Sequence, residues 1–208
     1  MIDVKGRSFI SLMKDPSSLL QHVRHYIEVD EDEARYFVSL FTTRVLRRRQ
    51  LLVETGKIFP YDCFVQQGCL REHFTGADGK QHVVQFITEG GWTGDVQSFL
   101  RAVPAIVSVE AVEDCILWQI DAPSLEHLFK KHPKFERFYR IAFQETYILF
   151  QQRVISSLSQ SVEQRYVAFI KEQPDLVRRI PQHQIAAYLG ISPEFLSKIR
   201  RKIARQRT

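Results

Sequence analysis

The residues whose types and spacing suit chemistry cluster near the C-terminus: Glu194, Ser197, Lys198 and Arg201, at three- and four-residue intervals. On a helix that spacing places all four on one side. A carboxylate, a hydroxyl, an ammonium and a guanidinium carried there have the donors and acceptors, and the reach, to read base edges in a major groove. A solvated charged face would show the same residue types. The frame that carries the four decides between these two explanations.

That frame is Ile180–Ile203, IPQHQIAAYLGISPEFLSKIRRKI. Pro181 suits the first position of a helix, where its missing N–H costs nothing. Ile185, Ala186 and Leu189 form a one-sided apolar face, and Gly190 follows where a helix needs a left-handed stop. Ser192 is a good N-cap for a second helix, with Pro193 in its first turn. Leu196, Ile199 and Ile203 make the buried stripe of that helix, predicted over Pro193–Arg205. Two short helices around a glycine turn are a helix-turn-helix, and the pattern favours it over an ordinary helical hairpin. Gln182, Arg200, Lys202 and Arg205 are placed to touch phosphates beside the base-reading face. From Gln160 onward there are ten Lys/Arg against four Asp/Glu, so about +6 of charge lies in the C-terminal quarter, whereas the whole chain carries +5. A positive field concentrated there fits a polyanionic partner.

The 208 residues are 44% hydrophobic and 25% charged, ordinary for a soluble protein of one large or two modest domains. Cys63, Cys69 and Cys115 are scattered and odd in number, with no CxxC spacing. This speaks against a disulfide framework or a zinc site and fits a reducing cytoplasm. No run is long and apolar enough for a signal peptide or a membrane span. The expectation is a cytoplasmic protein with no membrane partner.

Residues 1–42 read as helical. Ser17–Ile27 carries Leu19, Leu20, Val23 and Ile27 on one side, and Asp30 caps a helix faced by Ala34, Phe37, Val38 and Phe41. Short strands are predicted at Arg44–Arg49, Leu51–Glu54, Cys63–Gln67, Leu70–Thr75, His82–Ile87, Ile106–Ala111 and Ile116–Ile120, with an Asp78-Gly79 hairpin. Closely spaced short strands imply a small antiparallel barrel or jelly roll. The Arg47-Arg48-Arg49 run reads as the wet face of an edge strand. Asp121 or Ser124 caps a short helix to about Lys131. A helix from Pro133 to about Leu158 then carries two apolar stripes, Phe138, Ile141, Ala142, Ile148, Leu149 and Ile155 on one and Tyr139, Phe143, Tyr147, Phe150, Val154 and Leu158 on the other. Two stripes need two covers: the barrel and a second copy of the helix, with Phe138, Ile141, Ile148, Leu149 and Ile155 on the dimer side. Burial of both stripes within one chain is the alternative. Ser156–Ser161 is the expected hinge, and Ser161 with Gln164 forms a capping box. The fold class is therefore α+β: N-terminal helices, an antiparallel β-roll and a long dimerisation helix in residues 1–158, then an all-α helix-turn-helix domain in residues 159–208.

This order of parts resembles the Crp/Fnr superfamily of bacterial transcription regulators over nearly the whole chain. The resemblance rests on Phe64-Val65 with Gly68, the Asp78-Gly79 hairpin, and the segment from Phe86 through Gly94-Asp95 to Val109-Glu110-Ala111. It rests more specifically on Ile185-Ala186, Leu189-Gly190 and Ser192 to Lys198. It implies a homodimer that reads DNA with Glu194 and Lys198, with RNA polymerase as a further partner and a small-molecule effector in the β-roll. Pro193 stands where the family often has a base-reading Arg, so that contact is expected to be absent. The implied effector pocket comprises Trp92, Gly94, Asp95 and Arg101, although Trp92 also reads as a core aromatic. Cyclic-nucleotide-binding members carry Gly-Glu and, about ten residues on, an Arg that neutralises the cyclic phosphate. Here Gly94-Asp95 is followed by Pro104-Ala105-Ile106, so usual cAMP binding is not expected. An iron–sulfur cluster is excluded in the family's manner, because residues 1–62 contain no Cys. The chain ends at Thr208 without the usual β-hairpin wing, which leaves Arg205 and Arg207 as a short basic tail.

Two other classes remain. One is a nucleotide- or metabolite-sensing module whose DNA domain is weak or vestigial. The other is a jelly-roll metalloenzyme: a two-residue Asp78-Gly79 turn would put His73 and His82 on one face of the hairpin, with Glu72 pointing away. Two His are one ligand short of a catalytic metal site. No nucleophile triad, phosphate loop or carboxylate pair is evident, and the expectation is no metal and no enzymatic activity.

Overall fold

The computed structural model describes residues 15–206; the first fourteen residues of the expected helical N-terminus, and Arg207, lie outside the described residues. Helix α1 (Ser17–Arg24) is shorter than the periodicity predicts, because the chain turns at His25, yet Ile27 still packs inward. Helix α2 (Glu31–Ser39) starts at Asp30, whose carboxylate accepts from Glu33 N at 2.9 Å while Glu33 returns a bond to Asp30 N at 3.0 Å. This capping box satisfies two of the helix's otherwise orphaned donors.

Eight strands follow: β1 (Thr42–Leu46), β2 (Leu51–Val53), β3 (Tyr61–Gln67), β4 (Leu70–Thr75), β5 (Gln81–Ile87), β6 (Trp92–Thr93), β7 (Ser108–Ala111) and β8 (Cys115–Asp121). They form two four-stranded sheets, ordered β1-β8-β3-β6 and β2-β7-β4-β5. The pairings β1–β8, β3–β8, β3–β6 and β2–β7 are antiparallel, with Leu46 opposite Cys115 and Phe64 opposite Trp118. The pleat sorts the first sheet's side chains between two cores. Cys63, Val65, Cys115 and Leu117 join Leu52, Leu70, Val109 and Ala111 of the second sheet. Phe64, Trp118 and Ile120 face the helices. All three cysteines are buried thiols.

Three short pieces differ from the sequence expectation. Arg47–Arg49 is not strand: β1 stops at Leu46, and Arg47 N donates to Gln50 Oε1 at 2.7 Å across a turn. Arg49 takes φ 70°, and Arg47 pairs with Asp114 at 2.8 Å. Residues around Val96, for which the sequence pattern gives no element, form helix α3 (Val96–Arg101), stopped by Ala102 in the left-handed region at φ 53°. The hairpin turn is longer than two residues: Gly76 N donates to Lys80 O at 2.8 Å, with Gly79 at φ 75°. His82 therefore stacks on Phe74, centroids 5.1 Å apart, and not beside His73. The geometry behind the metal reading is gone, and no cluster of three metal-ligating side chains occurs among the described residues.

Helix α4 (Ala122–Lys131) is capped by Asp121, which accepts from Ser124 N at 2.8 Å. Helix α5 (Lys134–Ser159) has 26 residues and is about 39 Å long. Helices α6 (Val162–Glu172), α7 (Pro174–Arg179), α8 (Gln182–Leu189) and α9 (Pro193–Gln206) complete the chain. Its compact units are residues 1–72 with 86–145, and residues 73–85 with 146–208. The tip of the β4–β5 hairpin and the second half of α5 group with the helices that follow. No helix among the described residues is long and apolar enough to cross a membrane.

Candidate nucleic-acid interface and effector pocket

Helix α8 begins one residue later than expected, with Pro181 at the N-cap position, its carbonyl accepting from Gln184 N at 2.9 Å. Its other end closes as a Schellman motif. Ile191 N reaches Ala186 O at 3.0 Å, Gly190 N reaches Ala187 O at 3.4 Å, and Gly190 sits at φ 73°. A Cβ there would meet no atom within 4 Å, so glycine is required by the backbone angle and not by space. Ser192 Oγ then accepts from Phe195 N at 3.2 Å and caps α9. Ile185, Ala186, Leu189, Leu196 and Ile199 are buried together with Tyr166, Phe169, Leu176 and Ile180. That core fixes which face of α9 looks outward.

The outward face carries the four predicted base readers. Glu194, Ser197, Lys198 and Arg201 are all exposed, as are Arg200 and Arg205. A hydrogen bond with Ser192 holds the Glu194 carboxyl below its usual range, so it is an acceptor at neutral pH. Ser197 Oγ donates back to Pro193 O at 3.0 Å, which leaves its lone pairs outward. The phosphate candidates are less alike. Lys202 is held by Glu163 on α6 at 2.8 Å, so its charge already has a partner within the chain. Gln182 is half-buried, its Oε1 without a partner among the described residues.

The expected effector residues are arranged differently. Asp95 is 3% exposed and its carboxylate is fully engaged. Oδ1 accepts from Ser98 N at 2.8 Å and caps α3, while Oδ2 accepts from Ile106 N at 2.8 Å and Val107 N at 3.3 Å. Gly94 is required by close approach, since a Cβ would lie 3.0 Å from Tyr61 O. Arg101 ends α3 in solvent, and Ala105, where a phosphate-binding Arg would be expected, is buried with its N–H on Lys57 O at 2.9 Å. The guanidinium that the sheets do bury, Arg71, is paired with Glu110 at 2.8 Å. Trp92 resolves as a core aromatic, packed on Phe64 (5.4 Å) and Tyr139 (5.5 Å). The same aromatic core holds four buried polar atoms without partners among the described residues, His22 Nε2, Trp92 Nε1, Trp118 Nε1 and Tyr139 Oη. Of these, the sequence singles out Trp92 alone. The residues present do not fit the phosphate of a cyclic nucleotide in the arrangement the resemblance implies.

The long helix also departs from its two-stripe reading. Phe138 is fully buried in the helix-facing core and is unavailable to a partner, contrary to expectation, and Phe135 and Tyr139 join it there. Ile141 is half-buried. Beyond it most of both stripes lies in water: Phe143, Tyr147, Ile148, Leu149, Val154, Ile155 and Leu158 are exposed, while Phe150 is half-buried. The division runs along the helix, not around it.

The two sheets, with α3 and α4, have a recognised class: residues 43–132 match the cyclic nucleotide-binding domain family. Over 80–89% of its length the chain has a fold similar to that of three solved structures, each at 20% identity or less. The c-di-GMP-responsive global regulator CLP of Xanthomonas campestris is similar with TM-score 0.72 and 15% identity, covering 85% of this chain and 93% of that one. FixK2 from Bradyrhizobium japonicum gives 0.68 and 17%, covering 80% and 85%. The catabolite activator protein of Thermus thermophilus gives 0.54 and 20%, covering 89% and 87%. No curated protein matches the chain in sequence.

Proposed function

We propose that this protein is a homodimeric, sequence-specific DNA-binding transcription regulator whose β-roll responds to something other than cyclic AMP held in the usual way. The observation that carries the reading is the outward face of α9. Glu194, Ser197, Lys198 and Arg201 stand exposed on a helix whose opposite face is locked into a small core behind a Schellman turn. In a major groove Glu194 accepts from a cytosine amino group and Lys198 donates to guanine, while Arg200 and Arg205 neutralise phosphates. The exposed apolar length of α5 supports pairing with a second copy, since such a stripe in water is costly. Two recognition helices so joined would read half-sites about 34 Å apart. The engaged Asp95 and the Ala105 position support an effector other than a cyclic mononucleotide held in the usual way, and CLP, similar in fold, is responsive to c-di-GMP.

Selection of genomic DNA fragments by the purified protein at physiological salt tests the proposal, alongside a Glu194→Ala/Lys198→Ala variant. A two-fold-related motif that the variant loses is the expected result. Weak retention equal for both proteins and abolished by salt would overturn it in favour of a sensing module with a vestigial DNA domain.

A further inference from the structure

Between Glu145 and Ser159 the long helix carries one charged side chain, Arg153. It does not point into open water. Its Nη2 donates to Val83 O at 3.0 Å and to Tyr188 O at 3.2 Å, and its guanidinium carbon lies 3.9 Å over the centre of the Tyr188 ring. Both carbonyls are of a kind that needs an outside donor. Val83 lies on β5, the edge strand of its sheet, where one side of the backbone has no neighbouring strand. Tyr188 is the penultimate residue of α8, where the last carbonyls have no intrahelical partner and gather the negative end of the helix dipole. One planar cation therefore satisfies a sheet edge and a helix end together, and stacks on the ring next to the turn. Tyr188 is backed in turn by Phe169 of α6, centroids 5.0 Å apart.

We infer that Arg153 is the positioning residue of the helix-turn-helix: it holds the C-terminal end of α8, and through the Gly190 turn the start of α9, against the edge of the β4–β5 hairpin. Only two residues, Gly190 and Ile191, separate Tyr188-Leu189 from the Ser192 cap of α9. Displacement of the Tyr188 carbonyl therefore tilts the base-reading face. The hairpin and the recognition helix, about a hundred residues apart in sequence, become one mechanical element through a side chain that touches no DNA. The inference rests on the DNA-binding reading for its biological meaning but not for its test.

The test is amide hydrogen exchange at single-residue resolution on the full chain, without DNA. Arg153→Ala and Arg153→Lys are compared with Arg140→Ala, whose guanidinium makes only an exposed bond to Gln144 at 3.2 Å on the same helix. In Arg153→Ala, exchange should accelerate about tenfold both at residues 83–85 and at Gly190 and Ile191, as expected for loss of charged hydrogen bonds. Amides of residues 42–72 should be unchanged. Lysine, which keeps the charge but lacks the planar fork, should give an intermediate value and decides the matter if the alanine variant does not fold. Acceleration confined to one of the two segments, or matched by Arg140→Ala, overturns the inference. If the wild type selects a DNA motif, Arg153→Ala should also lower the ratio of specific to non-specific affinity about tenfold. A wild type without specific binding would count against the DNA reading alone, leaving the exchange result to stand or fall separately.

Discussion

The segment around Asp95 and the face of α9 both carry charged side chains at positions where the family resemblance expects function, yet the two regions use them in opposite ways. Asp95 is buried with three backbone N–H groups on its carboxylate, and its charge maintains the turn from α3 into β7. Glu194, Lys198 and Arg201 sit in water, and the bond between Glu194 and Ser192 leaves the carboxylate exposed and able to accept more. A charge already saturated within the chain is architecture; one left unsaturated on a rigid frame is available for recognition. The comparison separates the two kinds of residue where their types and spacing do not.

The largest effect expected from that contrast is on stability. Asp95→Ala leaves three backbone N–H groups without their acceptor and removes the cap of α3, and should cost about 4 kcal/mol of unfolding free energy, read by denaturant titration. A ligand-binding role alone would leave stability nearly intact. Glu194→Ala/Lys198→Ala should behave in reverse: an unchanged melting temperature, and about 3 kcal/mol lost from specific DNA binding, measured by fluorescence anisotropy against a scrambled duplex. A third variant probes a carboxylate that accepts a single backbone bond, from Cys63 N at 3.1 Å. Burial pushes Asp62 up to about 7, so the native state holds its proton more tightly than the unfolded chain does. Its contribution to stability is therefore present below about pH 4 and is lost as pH rises to about 7. Asp62→Asn should remove that loss, giving a variant about 2 kcal/mol more stable than wild type at pH 8 and nearly equal at pH 4, read by chemical denaturation. The smallest effect sharpens the contrast within α9 itself. Lys202→Ala should weaken DNA binding by less than about 0.5 kcal/mol because Glu163 already balances it, whereas Arg200→Ala should cost about 1 kcal/mol and reduce the salt dependence.

Much of this was legible in the residues. The Ser161–Gln164 capping box, the Gly190 stop, the Ser192 cap and the apolar spacing of α9 each have a local cause, and each forms where the sequence places it. The strands of the roll were found within a few residues because their alternation is a local property as well. What was missed depends on non-local or sub-threshold causes. Helix α3 has six residues and β6 two, too few for a period to show. Left-handed backbone at Arg49 and Ala102 is imposed by the surrounding chain on residues that do not advertise it. The wider Asp78-Gly79 turn changed which side chain faces His82, since a change of register moves every later residue to the other face. Phe138 lies on the stripe assigned to the partner, but the covering helices claim that end of α5 first. Arg153 did carry a signal, a solitary charge in a long neutral stretch, although its two carbonyl partners lie 70 and 35 residues away.

The uncovered apolar length of α5, from Phe143 to Leu158, makes abundance itself a control variable. If two chains must meet before either can hold a palindromic operator, mass action makes occupancy rise with the square of protein concentration at low expression. A twofold change in synthesis would then produce nearly a fourfold change in bound promoter, before any effector is involved. Melting temperature should climb with concentration for the same reason, and a charged substitution at Leu149 should abolish both dependences together.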